Sequence, residues 1–170
     1  MIFPQSCFLI PIYYNAKNTG RPYNPKNPNN NYITKYLDAP NSPLYPFGYG
    51  LSYTIFKYSD LVINKKEFAF DEPIKVSVTV TNSGKYKGEE IVQLYVRDMV
   101  GSITRPIKEL KRFKKILLQP NESKKISFTL TSNDFAFYSL DKSFKAEAGD
   151  FQLFVGRNSQ DVLKENFNLK

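Results

Sequence analysis

The feature that most constrains the fold is a strict alternation of apolar and polar side chains in residues 74–81. Ile74, Val76, Val78 and Val80 alternate with lysine, serine and threonine residues. A period of two places the four β-branched residues on one face of an extended strand. The sequence therefore predicts a β-strand with one buried face, and the Asn-Ser-Gly that follows it predicts a turn.

Other segments carry similar patterns. Residues 91–96 have one fully apolar face and a second that is partly apolar, so we expect both faces of this strand to be covered. Clean or partial alternation predicts further strands at residues 124–130, 151–155 and 165–169.

Residues 108–118 are ambiguous. Ile107, Leu110, Phe113 and Ile116 are spaced by three, which suits a helix but also a strand with a bulge. The neighbouring strand patterns and the turn at Pro120 favour the bulged strand.

Six or more short strands with turn signals about ten residues apart are typical of an antiparallel β-sandwich of the immunoglobulin or fibronectin type III kind. Residues 1–55 differ, because they are rich in asparagine, proline and tyrosine, and residues 15–32 read as a polar, turn-filled loop. The sequence predicts an all-β sandwich preceded by an irregular N-terminal extension. Within that extension Ile10, Ile12, Tyr13 and Tyr14 predict one short strand.

Composition excludes several kinds of chemistry. The chain has no histidine, which removes the commonest general base and the commonest transition-metal ligand. Its single cysteine, Cys7, cannot form an internal disulfide and is flanked by Phe8 and Leu9, so we interpret it as a small buried residue. No glycine-rich phosphate-binding motif occurs. We expect no metal and no cofactor.

The net charge of +8 raises the question of nucleic acid. The densest basic stretch, residues 105–115, is offset only by Glu109, and apolar residues interrupt it at regular intervals. We interpret it as a solvated strand face over a core. A phosphate-binding groove is the weaker alternative, because no nucleic-acid-binding motif accompanies it.

The first fourteen residues, MIFPQSCFLIPIYY, are apolar, but they lack a basic region and are interrupted by Pro4 and Pro11. We expect neither a signal peptide nor a membrane span here.

Two adjacent carboxylate pairs, Asp71-Glu72 and Glu89-Glu90, deserve comparison with glycosidase sites, which need two carboxyl groups across the scissile bond. Each pair lies just before a predicted strand, beside Pro73 or Gly88. We interpret both pairs as solvated turn residues without a catalytic role.

The segment PLYPFGYGLSYT, residues 43–54, places aromatic rings around two glycines, Gly48 and Gly50. Rings of this kind could stack on a sugar. The favoured interpretation is that they pack between domains.

Six motifs make the chain resemble a known family. FPQS, IPIYYNAKNTGRP and PLYPFGYGLSYT are similar, in order and spacing, to the final stretch of the α/β-sandwich domain in bacterial glycoside hydrolases of family 3, the β-glucosidase and β-xylosidase family. TNSGKYKGEEIVQLYVRD, RPIKELKRFKKI and AEAGDFQLFVG resemble the fibronectin type III-like domain that follows it. The likeness covers essentially the whole chain and departs from the pattern at residues 7–9.

The resemblance implies that residues 1–55 are the tail of the parent's α/β-sandwich domain with a linker, and that residues 56–170 are the fibronectin type III-like domain. Family members carry their nucleophilic aspartate on a catalytic barrel and their acid/base glutamate on the α/β sandwich, and neither motif has a matching position in this chain. It is therefore interpreted as a C-terminal fragment, not an enzyme by itself. The parent would hydrolyse terminal β-linked glucose or xylose in the periplasm or outside the cell.

The implied role is a structural accessory domain, with an autonomous glycan-binding module as the alternative. The expected partners are the missing barrel and α/β sandwich, with an oligosaccharide and a second copy bound through the extension as further candidates, but neither nucleic acid nor membrane. The candidate interdomain or glycan contacts are Tyr13, Asn18, Arg21, Tyr45, Phe47, Tyr49 and Tyr53.

Overall fold

The computed structural model describes residues 13–17, 21, 24, 26–27, 30, 32–33, 35 and 42–170. Its regular elements all follow residue 55 and are almost entirely strands, with a single turn of 3₁₀ helix at Ser132–Asp134. The strands are β1 Phe56–Ile63, β2 Glu67–Phe68, β3 Ile74–Asn82, β4 Gly88–Asp98, β5 Glu109–Leu118, β6 Ser123–Leu130, β7 Phe137–Tyr138, β8 Phe144–Lys145, β9 Gly149–Gly156 and β10 Val162–Leu169.

Two sheets pack face to face to form a sandwich. One sheet has three strands in the order β1-β3-β6, and the other has five in the order β2-β10-β9-β4-β5. The short strands β7 and β8 pair separately. Within the described part of the chain every strand pairing is antiparallel except that of β2 with the end of β10. The predicted all-β sandwich is confirmed.

The core lies between the sheets and draws on both. Because side chains alternate along each strand, β3 contributes Val76, Val78 and Val80 to the core, while β4 contributes Val92 and Leu94. The aromatic residues Phe135, Phe151 and Phe167 contact one another, and Phe68 closes the same end against Phe167.

The bulged strand predicted for residues 108–118 is confirmed. Leu94 pairs with Arg112 but Tyr95 pairs with Leu110, so Lys111 is the extra residue of a β-bulge. The bulge explains the spacing of three: it returns Leu110 and Phe113 to the same face of β5, the face turned away from the core.

Three expectations need correction. Of the four regularly spaced apolar residues near β5, only Ile116 belongs to the buried core. Residues 92–96 of β4 are buried on both faces as expected, but Ile91 is exposed. Tyr13 and Tyr14 do not form a strand, because they lie in a turn in which the Ala16 amide donates to the Tyr13 carbonyl (3.2 Å). Ile10 and Ile12 lie outside the described residues, as does Cys7.

Candidate functional site

The aromatic segment 43–54 lies against the outer face of the five-stranded sheet. Gln93 and Tyr95 alternate with the core residues of β4 and therefore point away from the core. Both are nevertheless buried, with exposed fractions of 5% and 0%. Something must cover this half of the outer face, and the N-terminal extension does so.

A tight turn fixes the segment. The Tyr49 amide donates to the Pro46 carbonyl (3.0 Å), and Gly48 has a φ of +79°. Gln93 Nε2 donates to the carbonyls of Gly48 (3.3 Å) and Arg157 (2.7 Å). A Cβ atom on Gly48 would lie 2.1 Å from Gln93 Oε1. This position requires glycine, both for its left-handed backbone and for its close approach to β4.

Phe47 is the ring that anchors the turn. It stacks on Tyr14 with ring centroids 4.1 Å apart and planes 16° apart, and Tyr14 meets the Tyr95 ring edge-on at 6.0 Å. The Phe47 carbonyl accepts a hydrogen bond from the Ser159 amide (2.8 Å). These contacts hold two distant parts of the extension on one sheet.

Lys108 reinforces the same interface from the loop before β5. Its ammonium group lies 4.2 Å from the Phe154 ring centroid and 5.8 Å from that of Tyr95, and it donates to the Ser159 carbonyl. Burial, and secondarily the charge of Arg97, lowers the pKa of Lys108 to about 8. Burial, followed by the proximity of Tyr14, raises the pKa of Tyr95. Both shifts are those expected of groups partly removed from solvent.

A second anchor lies just before β1. The Thr54 hydroxyl donates to Asn82 Oδ1 (2.5 Å), which also accepts from the Gly84 amide (3.1 Å). Asn82 Nδ2 donates to the carbonyls of Tyr86 (2.8 Å) and Leu118 (3.1 Å). Asn82 therefore ties the start of β1 to the ends of β3 and β5.

Between and around these anchors the segment turns apolar side chains to solvent. Tyr45 and Tyr49 are about half exposed, with ring centroids 5.1 Å apart and planes tilted by 40°. Tyr53 is 98% exposed. Leu44, Leu51 and Ile55 are exposed as well.

The seven candidate contact residues are only partly brought together. Phe47, Tyr45 and Tyr49 share one turn, and Tyr13 is half exposed beside the stacked Tyr14. In the described ranges no hydrogen bond, ion pair or ring contact joins Arg21 or Tyr53 to the others, and both are exposed. Asn18 lies outside the described residues.

The sequence predicted that both faces of residues 91–96 are covered, but it did not identify the residues that hold this site: Tyr14, Asn82, Gln93, Tyr95 and Lys108. Only Gln93 and Tyr95 showed a local signal of a covered outer face, since on their strand a polar and an aromatic residue alternate with three aliphatic residues. Asn82 was assigned to a turn, and nothing local marks it as a buried hub. Tyr14 and Lys108 lie far from residue 47 along the chain, so no local pattern joins them.

The two carboxylate pairs differ from each other. Glu89 pairs with Lys115 at 2.6 Å on the exposed face of β4, whereas the Glu90 carboxylate accepts from the Tyr58 hydroxyl (2.7 Å). Glu90 is half-buried within β4, and burial raises its pKa. Its assignment to a solvated turn is therefore wrong, because the strand begins earlier than its apolar pattern. Lys65 pairs with Glu72, and the hydrogen bond from Lys65 lowers the pKa of that carboxyl.

More of the positive charge in residues 105–115 is neutralised by ion pairs than the sequence indicated. Besides the contact of Arg105 with Glu109 (3.1 Å), Arg112 pairs with Asp134 (2.7 Å) from beyond β6. Arg105 also lies 4.1 Å from the Phe137 ring centroid. Some side chains of the basic stretch are half-buried, so the stretch is not simply a solvated face.

Among the residues that the structure describes, no three or more acidic or cysteine side chains are grouped so that they could hold a metal ion. In the same ranges no helix has the length and apolar character needed to cross a membrane.

Comparison with known proteins gives a consistent picture. The family model for the fibronectin type III-like domain matches residues 90–159. The chain is 44% identical over 167 residues to the periplasmic β-glucosidase of Salmonella typhimurium, covering 98% of the chain and 22% of that protein. It is 42% identical over 167 residues to a putative β-xylosidase of Formosa agariphila, covering 98% of the chain and 21% of that protein.

A solved structure of a β-glucosidase from Listeria innocua in complex with glucose is similar over 99% of the chain and 23% of its own, with a TM-score of 0.92 and 43% identity. The chain thus spans about a fifth of the length of the relatives it matches.

Proposed function

Because the chain belongs to the fibronectin type III-like portion of family 3 glycoside hydrolases, we propose that it is a non-catalytic accessory unit that stabilises a β-glucosidase-type parent. The parent would hydrolyse terminal β-linked glucose or xylose, in line with the names of its relatives. The name of the Salmonella relative supports a periplasmic or extracellular location for this parent. The partners would be the catalytic barrel and the α/β sandwich of the same polypeptide.

One observation carries this proposal: the segment before β1 is anchored at Phe47 and Thr54 but exposes most of the apolar side chains between and around them. Leu51 is 90% exposed and Tyr53 98%. A rigidly held strip of bare apolar side chains is what remains when one side of a domain interface is taken alone. The same strip supports the assignment of Tyr45, Tyr49 and Tyr53 as interdomain contacts.

We also propose the domain division at residue 55. β1 begins at Phe56, and every regular element of the described chain follows it. Residues 1–55 would then be the tail of the preceding domain, docked onto the sandwich through Tyr14 and Phe47.

The absence of catalysis is supported by the lack of histidine. It is also supported by the placement of the adjacent carboxylates, since Glu89 forms an ion pair and Glu90 is held by Tyr58. We expect no release of nitrophenol from aryl β-glucosides or β-xylosides by the pure chain. Release above a buffer blank would contradict this part of the proposal.

The structural role can be tested in the Salmonella relative. Three forms are compared: the intact protein, a form lacking the segment that aligns with this chain, and a chimera in which this chain replaces that segment. We expect the deletion to lose activity and thermal stability, and the chimera to regain both. A chimera no better than the deletion would refute the accessory role. Titration of the isolated chain with gluco-oligosaccharides tests the glycan-binding alternative, which detectable binding at millimolar sugar would favour.

A further inference from the structure

The outer face of the five-stranded sheet has a covered half and an uncovered half. Over β9 and β4 the extension and Lys108 cover the face, so that Tyr95 and Phe154 are buried. Over β4 and β5 three large apolar side chains remain exposed: Ile91 at 46%, Phe113 at 68% and Leu117 at 50%.

Strand register makes these three residues neighbours. Phe113 pairs with Gln93, Lys115 with Ile91 and Leu117 with Glu89, so Ile91 lies diagonally between Phe113 and Leu117 on one face. Diagonal neighbours of this kind are about 7 to 8 Å apart, within reach of long side chains. We call Ile91, Phe113 and Leu117 the β4–β5 patch.

The patch is continuous with the interface already described. Phe113 is the strand partner of Gln93, and Gln93 binds the Gly48 carbonyl in the anchored turn. The half-exposed Tyr49 follows Gly48 directly. The patch therefore begins where the N-terminal extension meets the sheet.

The solvent face of an antiparallel sheet normally carries polar residues. Three exposed apolar residues there, grouped around the Lys115–Glu89 ion pair and two of them on an edge strand, indicate a surface that a partner covers. The basic residues of β5, among them Arg112, Lys114 and Lys115, discourage pairing along its free edge. A partner would therefore approach the face of the sheet.

Resting on the proposed accessory role, we propose that the β4–β5 patch, together with Tyr49, is the docking surface for an apolar surface on another part of the same polypeptide. The relatives have about four-fifths of their length outside the region matched by this chain, so a covalently linked partner of sufficient size exists in them.

Size favours a tethered partner over a second copy. Stable complexes between separate molecules bury roughly 800 Å² on each side, far more than three half-exposed side chains and one tyrosine supply. A tethered partner meets the patch at an effective concentration in the millimolar range, so a small apolar surface is sufficient.

The test introduces Phe113→Lys or Ile91→Lys into the Salmonella chimera and into the isolated chain. Val62→Lys is the matched control, because Val62 is an equally exposed (52%) β-branched strand residue on the outer face of the other sheet, where it pairs with Ser77. We expect both patch variants to speed thermal inactivation of the chimera roughly tenfold or more, because each variant loses the burial of one large apolar side chain against the partner. The control variant should leave the inactivation rate unchanged.

In the isolated chain all three variants should leave the urea midpoint unchanged, since the patch is already exposed there. Patch variants that inactivate no faster than the control would overturn the docking surface while leaving the accessory role intact. A chimera without activity before any substitution would count against the accessory role and against this inference with it. Sedimentation of the isolated chain tests whether a second copy covers the patch instead. A dimer that Phe113→Lys dissociates would show that it does, and would overturn the proposal.

Discussion

The buried amide of Asn82 provides the sharpest quantitative prediction. Its side chain is 0% exposed and makes four hydrogen bonds, to Thr54, Gly84, Tyr86 and Leu118. Asn82→Ala removes all four and leaves the Leu118 carbonyl buried without this donor. At about 1 kcal/mol net for each hydrogen bond, the free energy of unfolding should fall by about 4 kcal/mol. That is a large share of the 5 to 15 kcal/mol typical of a domain.

Urea unfolding of the 170-residue chain, followed by far-ultraviolet circular dichroism, measures this loss. The midpoint should fall without a change in slope, because the variant alters no exposed area in the unfolded chain. Asn166→Ala is the control: Asn166 is an exposed strand asparagine with a single side-chain hydrogen bond, from Gln152. Its loss should cost no more than about 0.5 kcal/mol.

A double-mutant cycle of Asn82→Ala with Thr54→Val isolates the contact that anchors the segment before β1. We expect a coupling energy of about 1 kcal/mol. The reasoning that the buried Asn82 amide joins this segment to β3 and β5 would be refuted by either of two results. One is a loss of unfolding free energy below about 1 kcal/mol for Asn82→Ala, and the other is a coupling energy near zero.

Two further predictions concern the covered half of the outer face. Gly48→Ala should destabilise the chain by about 2 kcal/mol, since it adds the strain of a positive φ and a clash with Gln93. Gly50→Ala is the control and should be nearly neutral, because a Cβ atom there meets nothing within 4 Å. The urea midpoints of both variants check this. The folded-state pKa of Lys108, about 8, lies below its ordinary value of 10.5. Between these two pH values the unfolded chain binds more protons than the folded chain. The free energy of unfolding should therefore rise with pH across this window, relative to that of the Lys108→Met variant. Parallel stability curves for the two proteins from pH 7.5 to 9.5 would contradict the assignment.

Local patterns were sufficient for most of the sandwich. The alternation in β3 and β6 identified both strands and their inward faces, because a half-buried strand must alternate apolar and polar side chains. β1 escaped prediction for a physical reason: Asp60 has a φ of +53° and the register shifts between Ser59 and Val62, so the bulge breaks its alternation. The two-residue strands β2, β7 and β8 are too short to show any period.

The aromatic segment shows where local information ends. The sequence by itself determined that residues 43–54 hold a glycine turn with several aromatic rings, and that a β-sandwich follows, because turn chemistry and strand periodicity act over a few neighbouring residues. Only the tertiary structure decided that Phe47 is half-buried and stacks on Tyr14 while Tyr45, Tyr49 and Tyr53 face solvent. It likewise decided that Leu110 lies on the same outer face as Phe113, through the bulge at Lys111. Burial of a ring depends on which distant residues reach it. Tyr14 and Ser159 contact Phe47, and Gln93 contacts Gly48, only when the sheets assemble.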